Sequence, residues 1–155
     1  MSIVIRRATI ADAPVISEFN RLLALESEGK VLDPQVVRAG VAALLNDASR
    51  GVYFVAENGR EIVGQTMVRT EWSDWRNAWM WWIESVYVRS DARKQGVFRA
   101  LYDHIYRTAC ADPSVVGLRL YVEQNNHAAQ QTYRHLGMEP MNFFLYHKFP
   151  LREQS

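Results

Sequence analysis

A basic turn that contains a glycine lies between a predicted apolar strand and a predicted helix. Its residue types are suited to a chemical role. The turn consists of Arg93, Lys94, Gln95 and Gly96. A helix that begins directly after such a turn has first-turn N–H groups without intrahelical partners, and its positive dipole end lies beside two cationic side chains. The turn is therefore a candidate anion site. The alternative is a connector in which Arg93 and Lys94 are solvated.

The strand that leads into this turn carries one carboxylate, Glu84, in an otherwise apolar run. Strand alternation places Glu84 on the same face as Trp82 and Val86. A carboxylate on a buried face is suited to accept a proton, so Glu84 is a candidate general base. The alternative is that Glu84 pairs with an arginine or positions a substrate through water.

Two periodicities define the elements that position these residues. Ala78–Arg89 reads as a buried strand, with Val86 and Val88 on one face and Tyr87 on the other. From Phe98 onward the apolar residues recur at helical spacing and predict a helix to about Cys110. The predicted apolar stripe of that helix comprises Phe98, Leu101, Tyr102, Ile105 and Tyr106.

The rest of the chain supplies the other elements of an α/β fold. Upstream, the sequence predicts a strand over Ile3–Arg7, followed by two helices: one that begins near Thr9 and Asp12, and one that is capped by Asp33 and Pro34. Two strands follow, Val52–Glu57 and Glu61–Thr70, and Asn58 and Gly59 form the turn between them. Downstream, it predicts a strand over Val115–Val122, a helix over His127–Leu136 capped by Asn125 or Asn126 and ended by Gly137, and a last strand over Phe143–Phe149. A right-handed crossover would make the strand at Val115 parallel to the strand before the basic turn.

Composition narrows the class of protein. A chain of 155 residues predicts a single domain over residues 1–155, and a net charge of +1 predicts no general attraction to nucleic acid or to a membrane. One cysteine, Cys110, and the absence of a long apolar run predict a cytoplasmic protein. The four histidines have no paired ligand spacing, so no catalytic metal is expected.

Two sequence motifs, taken together with the order of the predicted elements, indicate a resemblance to a known family. The first has the form Arg/Gln-x-x-Gly-x-Gly/Ala and is met by Arg93 and Gly96; the second is Asn-x-x-Ala-x-x-x-Tyr-x-x-x-Gly and is met by Asn126, Ala129, Tyr133 and Gly137. With these motifs the chain resembles, over nearly its whole length, the GCN5-related N-acetyltransferase (GNAT) family. The resemblance implies a mixed α/β sheet, with an antiparallel N-terminal meander, two splayed parallel central strands and helices on both faces.

The resemblance also implies an acetyl-CoA site. In the family, the backbone of the strand pairs with the pantetheine arm and the amides of the turn hold the pyrophosphate. The residues this implies here are Val86, Tyr87, Val88, Arg93, Lys94, Gln95, Gly96, Val97, Phe98, Arg99 and Asn126. Tyr133 takes the position of the family's general acid, and a phenol with a pKa near ~10 suits protonation of a departing thiolate. The alternative for Tyr133 is simple packing.

Two departures from the family pattern carry predictions. Phe98 replaces the last small residue of the first motif, and its side chain is expected to turn toward the core. The C-terminus is short, and the edge of its single predicted strand, together with Trp72 and Trp75 in a predicted polar loop, predicts a homodimer. Trp79 and Trp81 share a face and are predicted to fill the core.

The sequence therefore predicts an acetyl-CoA-dependent N-acetyltransferase that acts on a primary amine of a small molecule by direct attack in a ternary complex. No serine or cysteine lies in a nucleophile elbow, which disfavours an acyl-enzyme. Glu26 and Glu28, between the first two helices, could attract a cationic acceptor. The alternatives are an N-acetyltransferase for proteins or peptides and a non-catalytic CoA-binding regulatory module.

Overall fold

A five-stranded mixed sheet forms the centre of the first of two units into which the chain divides, Met1–Tyr121 and Val122–Ser155. The computed structural model describes residues 1–153. In spatial order the strands are β1 (Ile3–Arg7), β2 (Val52–Asn58), β3 (Glu61–Ser73), β4 (Ala78–Val88) and β5 (Val115–Leu120). Neighbours from β1 to β4 are antiparallel, whereas β4 and β5 are parallel. The predicted mixed sheet is confirmed.

Helices cover both faces of this sheet. They are α1 (Ala13–Glu28), α2 (Pro34–Leu45) and α3 (Val97–Ala111). Val55 belongs to a buried cluster with α1 and α2, and the next residue, Ala56, belongs to a cluster with α3. Since successive strand residues point to opposite faces, α1 and α2 cover one face and α3 covers the other. Within residues 1–153, no helix combines the length and the apolar character that crossing a membrane requires.

The buried face of the α3 helix differs from the predicted one. Its buried residues are Val97, Leu101, Tyr102, Ile105 and Ala109. Phe98 is only partly buried, with its ring 6.3 Å from that of Tyr102, and Tyr106 is exposed. Val97 takes the first core position because Gly64 on β3 gives it room; a Cβ at Gly64 would lie 2.8 Å from Val97 Cγ1. The prediction that Phe98 begins the buried stripe is therefore wrong.

The tryptophan-rich region is a strand ribbon instead of a loop. β3 continues to Ser73, so Trp72 lies opposite Trp79 in the ladder, with ring centroids 4.9 Å apart in an edge-to-face arrangement. Trp79 is half-exposed, and its predicted role in the core is wrong because its packing partner is the cross-strand Trp72. Trp75, at the ribbon's tip, is almost fully exposed.

The second unit contains α4 (His127–His135). The Asn126 side chain accepts a hydrogen bond from the Ala129 N–H at 3.1 Å, and Gly137 adopts a left-handed φ of 85° after the helix, as the sequence predicts. The predicted strand over Phe143–Phe149 is wrong for the single chain: residues 139–153 form no helix or strand. An extended segment becomes a strand only when another strand completes its ladder, and none in the described part of the chain does so.

A partly buried ion pair between Arg6 and Asp12 anchors the start of the fold. The Asp12 carboxylate, 7% exposed, accepts hydrogen bonds from Arg6 Nη1 and Nη2 at 2.8 and 2.9 Å and from the Thr9 N–H at 2.7 Å. The Arg6 hydrogen bonds hold the pKa of Asp12 below its ordinary value, against the opposing effect of burial. Asp12 therefore stabilises the fold above the unfolded-state pKa of ~3.9, and this stabilisation is lost as the pH falls through the lower folded-state pKa.

We expect Asp12→Asn to lower the free energy of unfolding by about 1–3 kcal/mol at pH 7, because Arg6 loses its charged partner. The deficit relative to wild type should begin to shrink below about pH 4, where the carboxyl of the unfolded chain takes up a proton, and it should be lost once the pH falls below the lower folded-state pKa. Urea unfolding at pH 7 and pH 3 measures both effects. Asp103→Asn, which breaks an exposed pair with Arg99, is the control and should change stability by no more than about 1 kcal/mol. A pH-independent deficit for Asp12→Asn would contradict this account.

Candidate functional site

The candidate site begins where β4 separates from its parallel neighbour. The β4–β5 ladder ends with Ile83 opposite Leu120. Just beyond, the register with β3 shifts by one extra residue on β4, and Ser85 adopts a left-handed φ of 52°. This is a β-bulge, which bends the strand and redirects its side chains. Along the described chain, the backbone from Ser85 to Val88 therefore has a strand neighbour on the β3 side alone.

The bulge changes which side chains share a face. Glu84 pairs with Met67 and Tyr87 pairs with Gln65, and these two β3 partners are two residues apart. Tyr87, and not Val86 as alternation predicted, therefore lies on the Glu84 face. The Tyr87 ring packs 5.0 Å from that of Phe19 on α1.

Arg93 fastens the turn to its surroundings. Its Nε donates to the Val88 carbonyl at 2.9 Å, its Nη2 donates to Glu26 at 3.0 Å, and its guanidinium lies over the Tyr87 ring at 5.4 Å. Burial, followed by the hydrogen bond to Glu26, raises the pKa of Tyr87. Glu26, which the sequence offered as an attractor for a cationic acceptor, instead pairs with Arg93. Arg93 thereby joins the end of β4 to the end of α1.

The residues after Arg93 form a backbone cradle at the start of α3. Lys94 and Gly96 both have left-handed φ angles, 61° and 82°. Gly96 is the N-cap, and the N–H groups of the first helical turn, such as those of Val97 and Arg99, precede the first hydrogen bond of the α-helical ladder. A Cβ at Gly96 would meet no atom within 4 Å, so the space in front of this backbone is open. Such a turn has the geometry and the charge to hold an anion.

The rest of the turn is held by local contacts. The Gln95 side chain donates to the Asp91 carbonyl at 3.1 Å, and Arg99 pairs with Asp103 one helical turn further along α3. These two side chains, which the sequence placed in the cofactor site, thus stabilise the turn and the helix. Any contribution of Arg99 to an anion site in this geometry comes from its backbone N–H.

Glu84 is held by an arginine on the neighbouring strand. Arg69 Nε and Nη2 both donate to Glu84 Oε1, at 3.1 and 2.9 Å. The Arg69 guanidinium lies 5.3 Å from the centre of the Trp82 ring. The arginine pairing that the sequence analysis kept as an alternative is therefore present, and it fixes the orientation of the carboxylate.

A cavity of about 560 Å³ lies between α1 and α2 and reaches Ser85 at the bulge. Its lining includes Asn20, Leu23, Glu28, Val41, Tyr53 and Ser85. A hydrogen-bonded chain crosses this region: Gln65 donates to Asn20 at 2.8 Å and to the Ser85 carbonyl at 3.2 Å, and Asn20 donates to the Tyr53 hydroxyl at 2.9 Å. This polar group was missed by sequence reasoning. The sequence feature that could have indicated it is a polar residue in an apolar pattern, namely Gln65 within an apolar strand and Asn20 within the apolar stripe of a helix.

The remaining predicted site residues, Asn126 and Tyr133, belong to the second unit. Asn126 caps α4, and Tyr133 lies within this helix. Burial raises the pKa of the Tyr133 phenol above its ordinary value, so this group keeps its proton in neutral and mildly alkaline solution. Among residues 1–153, no group of three or more His, Cys, Asp or Glu side chains is placed to hold a metal ion.

Comparison with known proteins identifies the relatives of this arrangement. Residues 19–138 match the protein family described as "Acetyltransferase (GNAT) family". A search of curated proteins finds no significant match. Among solved structures, "a possible acetyltransferase from Clostridium difficile 630" shares 41% identity at a TM-score of 0.91, over 98% of this chain and 100% of that one.

More distant structures share the fold but differ in their described substrates. A ribosomal-protein-alanine N-acetyltransferase from Brucella melitensis biovar Abortus 2308 has 16% identity and a TM-score of 0.77, with 95% of this chain and 98% of that chain covered. An aminoglycoside acetyltransferase from an uncultured soil metagenomic sample has 15% identity and a TM-score of 0.72, with coverages of 98% and 100%. At these identities the likeness concerns the fold alone.

Proposed function

Because the chain belongs to the GNAT acetyltransferase family and is thus an acyltransferase, we propose that it transfers the acetyl group of acetyl-CoA to a primary amine of a small molecule. One observation carries the proposal: the bulged end of β4 is followed, after a single 3-10 turn over Ser90–Ala92, by a left-handed glycine turn at the N-terminus of α3. The free edge of the β4 backbone is therefore followed along the chain by an anion cradle. This order matches a ligand that has an amide-bearing arm and a pyrophosphate.

The described residues suit acetyl-CoA in two ways. The amides of the pantetheine arm need partners, and the β4 backbone from Val86 to Val88 lies beyond the end of the β5 ladder. The pyrophosphate needs N–H donors and positive charge, which the first turn of α3 and the exposed Lys94 supply. The open space at Gly96 allows a phosphate to approach the backbone. Arg93 contributes by holding this turn in place.

Two side chains of this protein handle the protons of the proposed reaction. Bound acetyl-CoA supplies an acetyl group activated as a thioester. The amine nitrogen bonds to the acetyl carbon as the carbon–sulfur bond breaks, so the nitrogen must lose a proton and the sulfur must gain one. Glu84 accepts the amine's proton through Oε2, because Arg69 occupies Oε1. Tyr133 gives its proton to the sulfur.

The cavity between α1 and α2 supports a small acceptor. Its volume of about 560 Å³ falls within the range of about 300–1,000 Å³ common for small-molecule sites. Leu23 and Val41 offer apolar contact, while Asn20 and the Ser85 carbonyl offer polar contact near the bulge. A peptide or protein amine is the second candidate, since the ribosomal-protein-alanine N-acetyltransferase shares this fold. It would require a groove along which a peptide chain can extend.

Thiol release from acetyl-CoA, measured with a panel of small amines and a matched panel of peptides, tests the proposal. We expect a small amine to give the higher kcat/KM, and mass spectrometry to find one acetyl group on its nitrogen. Turnover with peptides alone would replace the acceptor assignment. Tight CoA binding by calorimetry with no turnover on either panel would favour a binding module, and no binding at millimolar CoA would overturn the cofactor site.

We expect Gly96→Val to bind CoA about 10- to 100-fold more weakly than wild type. A β-branched residue strains a left-handed φ of 82° by about 1–3 kcal/mol, and each 1.4 kcal/mol is tenfold in affinity. The substituted turn relaxes in the free protein and must be strained again to bind. Isothermal titration calorimetry measures the change.

Gly59→Val is the matched control. Gly59 also has a left-handed φ, 64°, and open space around its Cβ position, but it lies in the β2–β3 hairpin turn. Its substitution should lower stability and leave CoA affinity within a few-fold of wild type. Equal loss of affinity in both variants, or normal affinity in Gly96→Val, would place the pyrophosphate site elsewhere.

A further inference from the structure

A polar patch lies beside Glu84 on the sheet face that carries α1 and α2. Its centre is Trp82, which precedes Glu84 by two residues on β4 and therefore lies on the same face. In the ladders, Trp82 pairs with Arg69 on β3 and with Arg119 on β5. Both guanidinium groups lie near the Trp82 ring, Arg69 at 5.3 Å and Arg119 at 5.9 Å from its centre. The patch therefore adjoins the carboxylate that is proposed as the base.

The two arginines use their guanidinium groups differently. Arg69 directs Nε and Nη2 at Glu84 Oε1. Arg119 is held through Nη1, which donates to Glu71 Oε1 at 3.1 Å, while its Nε is buried and has no hydrogen-bond partner among the described residues. Nε and an Nη form the edge of an arginine that binds a carboxylate with two parallel hydrogen bonds. In Arg119 this edge is unpaired at Nε, and the contact with Glu71 fixes its orientation.

A second unpaired donor belongs to the neighbouring residue in the ladder. The Trp82 ring stacks on that of Tyr121, with centroids 4.6 Å apart, and its Nε1–H is buried without an acceptor in the part of the chain that the structure describes. Buried N–H groups usually have a partner, because an unpaired one destabilises the folded protein. Two such donors on paired residues, one of them on a cation, indicate a missing partner that is anionic and accepts several hydrogen bonds.

We propose that Arg119 and Trp82 bind the carboxylate of an acceptor that is an amino acid; this inference rests on the proposed transfer at Glu84. Trp82 and Glu84 are about 6.5 Å apart along β4, at about 3.3 Å per residue. One small molecule spans this distance when hydrogen bonds of about 2.9 Å join its amine and its carboxylate to the protein. The Arg119 side chain is 23% exposed, so its guanidinium is reachable from solvent.

The cavity between α1 and α2 suits the side chain of such an acceptor. It reaches Ser85, which lies on the opposite side of Glu84 from Trp82 along β4. An amino acid with its amine at Glu84 therefore places its carboxylate on the patch and its side chain in the cavity. Leu23 and Val41 in the cavity lining favour an apolar side chain.

The charges of the patch favour a zwitterion. The two arginines are balanced by two carboxylates, since Arg69 pairs with Glu84 and Arg119 pairs with Glu71. An amino acid brings one positive and one negative charge and leaves this balance unchanged. An amine without a carboxylate adds a positive charge and leaves both buried donors unpaired, and a site built for hydrogen bonds discriminates strongly against an analogue that lacks them.

Acetylation of leucine and of leucinamide tests the carboxylate, because the two differ only in that group. We expect Arg119→Met to lower the ratio of kcat/KM for leucine to kcat/KM for leucinamide by about 10- to 100-fold relative to wild type. Comparison of ratios cancels the difference in pKa between the two amines. Trp82→Phe keeps the stack with Tyr121, removes one donor and should lower the ratio by about 2- to 10-fold. A ratio that neither variant changes would overturn the proposal.

Two further variants separate the Arg119 edge from general effects. Arg119→Lys keeps a positive charge beside Glu71 but removes the planar edge, so it should also lower the ratio, and it serves in place of Arg119→Met if that variant folds poorly. Arg7→Met is the matched control, because Arg7 is an exposed arginine on β1, at the other end of the strand order from β5. Its ratio should equal that of wild type. An equal fall in Arg7→Met would overturn the assignment to Arg119.

Calorimetry in the presence of CoA measures acceptor binding without turnover. Leucine should bind wild type about tenfold or more tightly than leucinamide does, and Arg119→Met should remove this difference. Equal binding of the two ligands to wild type would overturn the carboxylate site, whereas turnover of leucinamide in the same experiment would leave the proposed function in place. Leucine binding that depends on Arg119, with no acetylation of any amine, would support the carboxylate site and overturn the proposed transfer.

Discussion

Glu84→Gln is expected to lower kcat/KM for a primary amine by about 100-fold at pH 7 and by far less near pH 10. An alkylamine has a pKa near ~10.4, so at neutral pH almost all of it carries the proton that a base must remove. Glutamine keeps the shape and an oxygen for Arg69 but accepts no proton. Because the free amine becomes abundant as the pH rises, the variant's deficit should narrow in alkaline buffer.

Two further variants separate a base from a merely structural carboxylate. Glu71→Gln alters a second strand carboxylate that also pairs with an arginine, Arg119 at 3.1 Å, and should retain nearly normal kcat/KM for a primary amine without a carboxylate. Arg69→Met leaves the Glu84 carboxylate in place, so it should cost less than Glu84→Gln and show no recovery at high pH. If Glu84→Gln and Arg69→Met lose the same activity at every pH, Glu84 acts only as the partner of Arg69.

The parts of the site that follow from local sequence were predictable. Alternation of apolar residues indicated β4, the change to helical spacing indicated α3, and Gly96 between them takes the left-handed conformation that glycine favours. Asn126 likewise caps α4 through the Ala129 N–H. Each of these features depends on residues a few positions apart, which a single sequence displays directly.

The features that depend on partners far along the chain were not predictable. The bulge at Ser85 follows from pairing with β3, and no glycine marks it in the sequence. Arg93 looked like a free cation of an anion site, but its guanidinium contacts Glu26, which is 67 residues away. Phe98 and Val97 differ little in pattern, and the space left by Gly64 decides which of them enters the core.

The apolar segment Phe143–Phe149 is a further feature whose structure depends on a partner that the sequence does not identify. Its composition favours a strand, but a strand forms only when two segments pair. Within residues 1–153 the segment forms no strand, and its apolar side chains are exposed. The sequence displays the strand propensity of the segment but does not display whether another strand is placed to pair with it.

Tyr133→Phe should lower kcat by about 10²- to 10⁴-fold at neutral pH while CoA affinity stays within a few-fold of wild type. The substitution keeps the ring and removes one proton donor, and general acid catalysis commonly contributes a factor of this size. Burial raises the pKa of Tyr133, so the wild-type phenol remains protonated across the working pH range. A thiol has a pKa near ~8.5, so its thiolate departs more readily without help as the pH rises. The deficit of Tyr133→Phe should therefore narrow in alkaline buffer.

The matched control is Tyr106→Phe, which removes a hydroxyl from a half-exposed tyrosine on α3 and should leave kcat unchanged. Single-turnover measurements are needed, because a slow product release would hide a change in the chemical step. The two proton-transfer variants also differ in a second readout. An acceptor amine of lower pKa rescues Glu84→Gln, since less of it needs deprotonation, but leaves Tyr133→Phe slow, since the leaving thiol is the same. If Tyr133→Phe turns over at the wild-type rate with chemistry limiting, Tyr133 only packs within its helix, and another group or water protonates the thiolate.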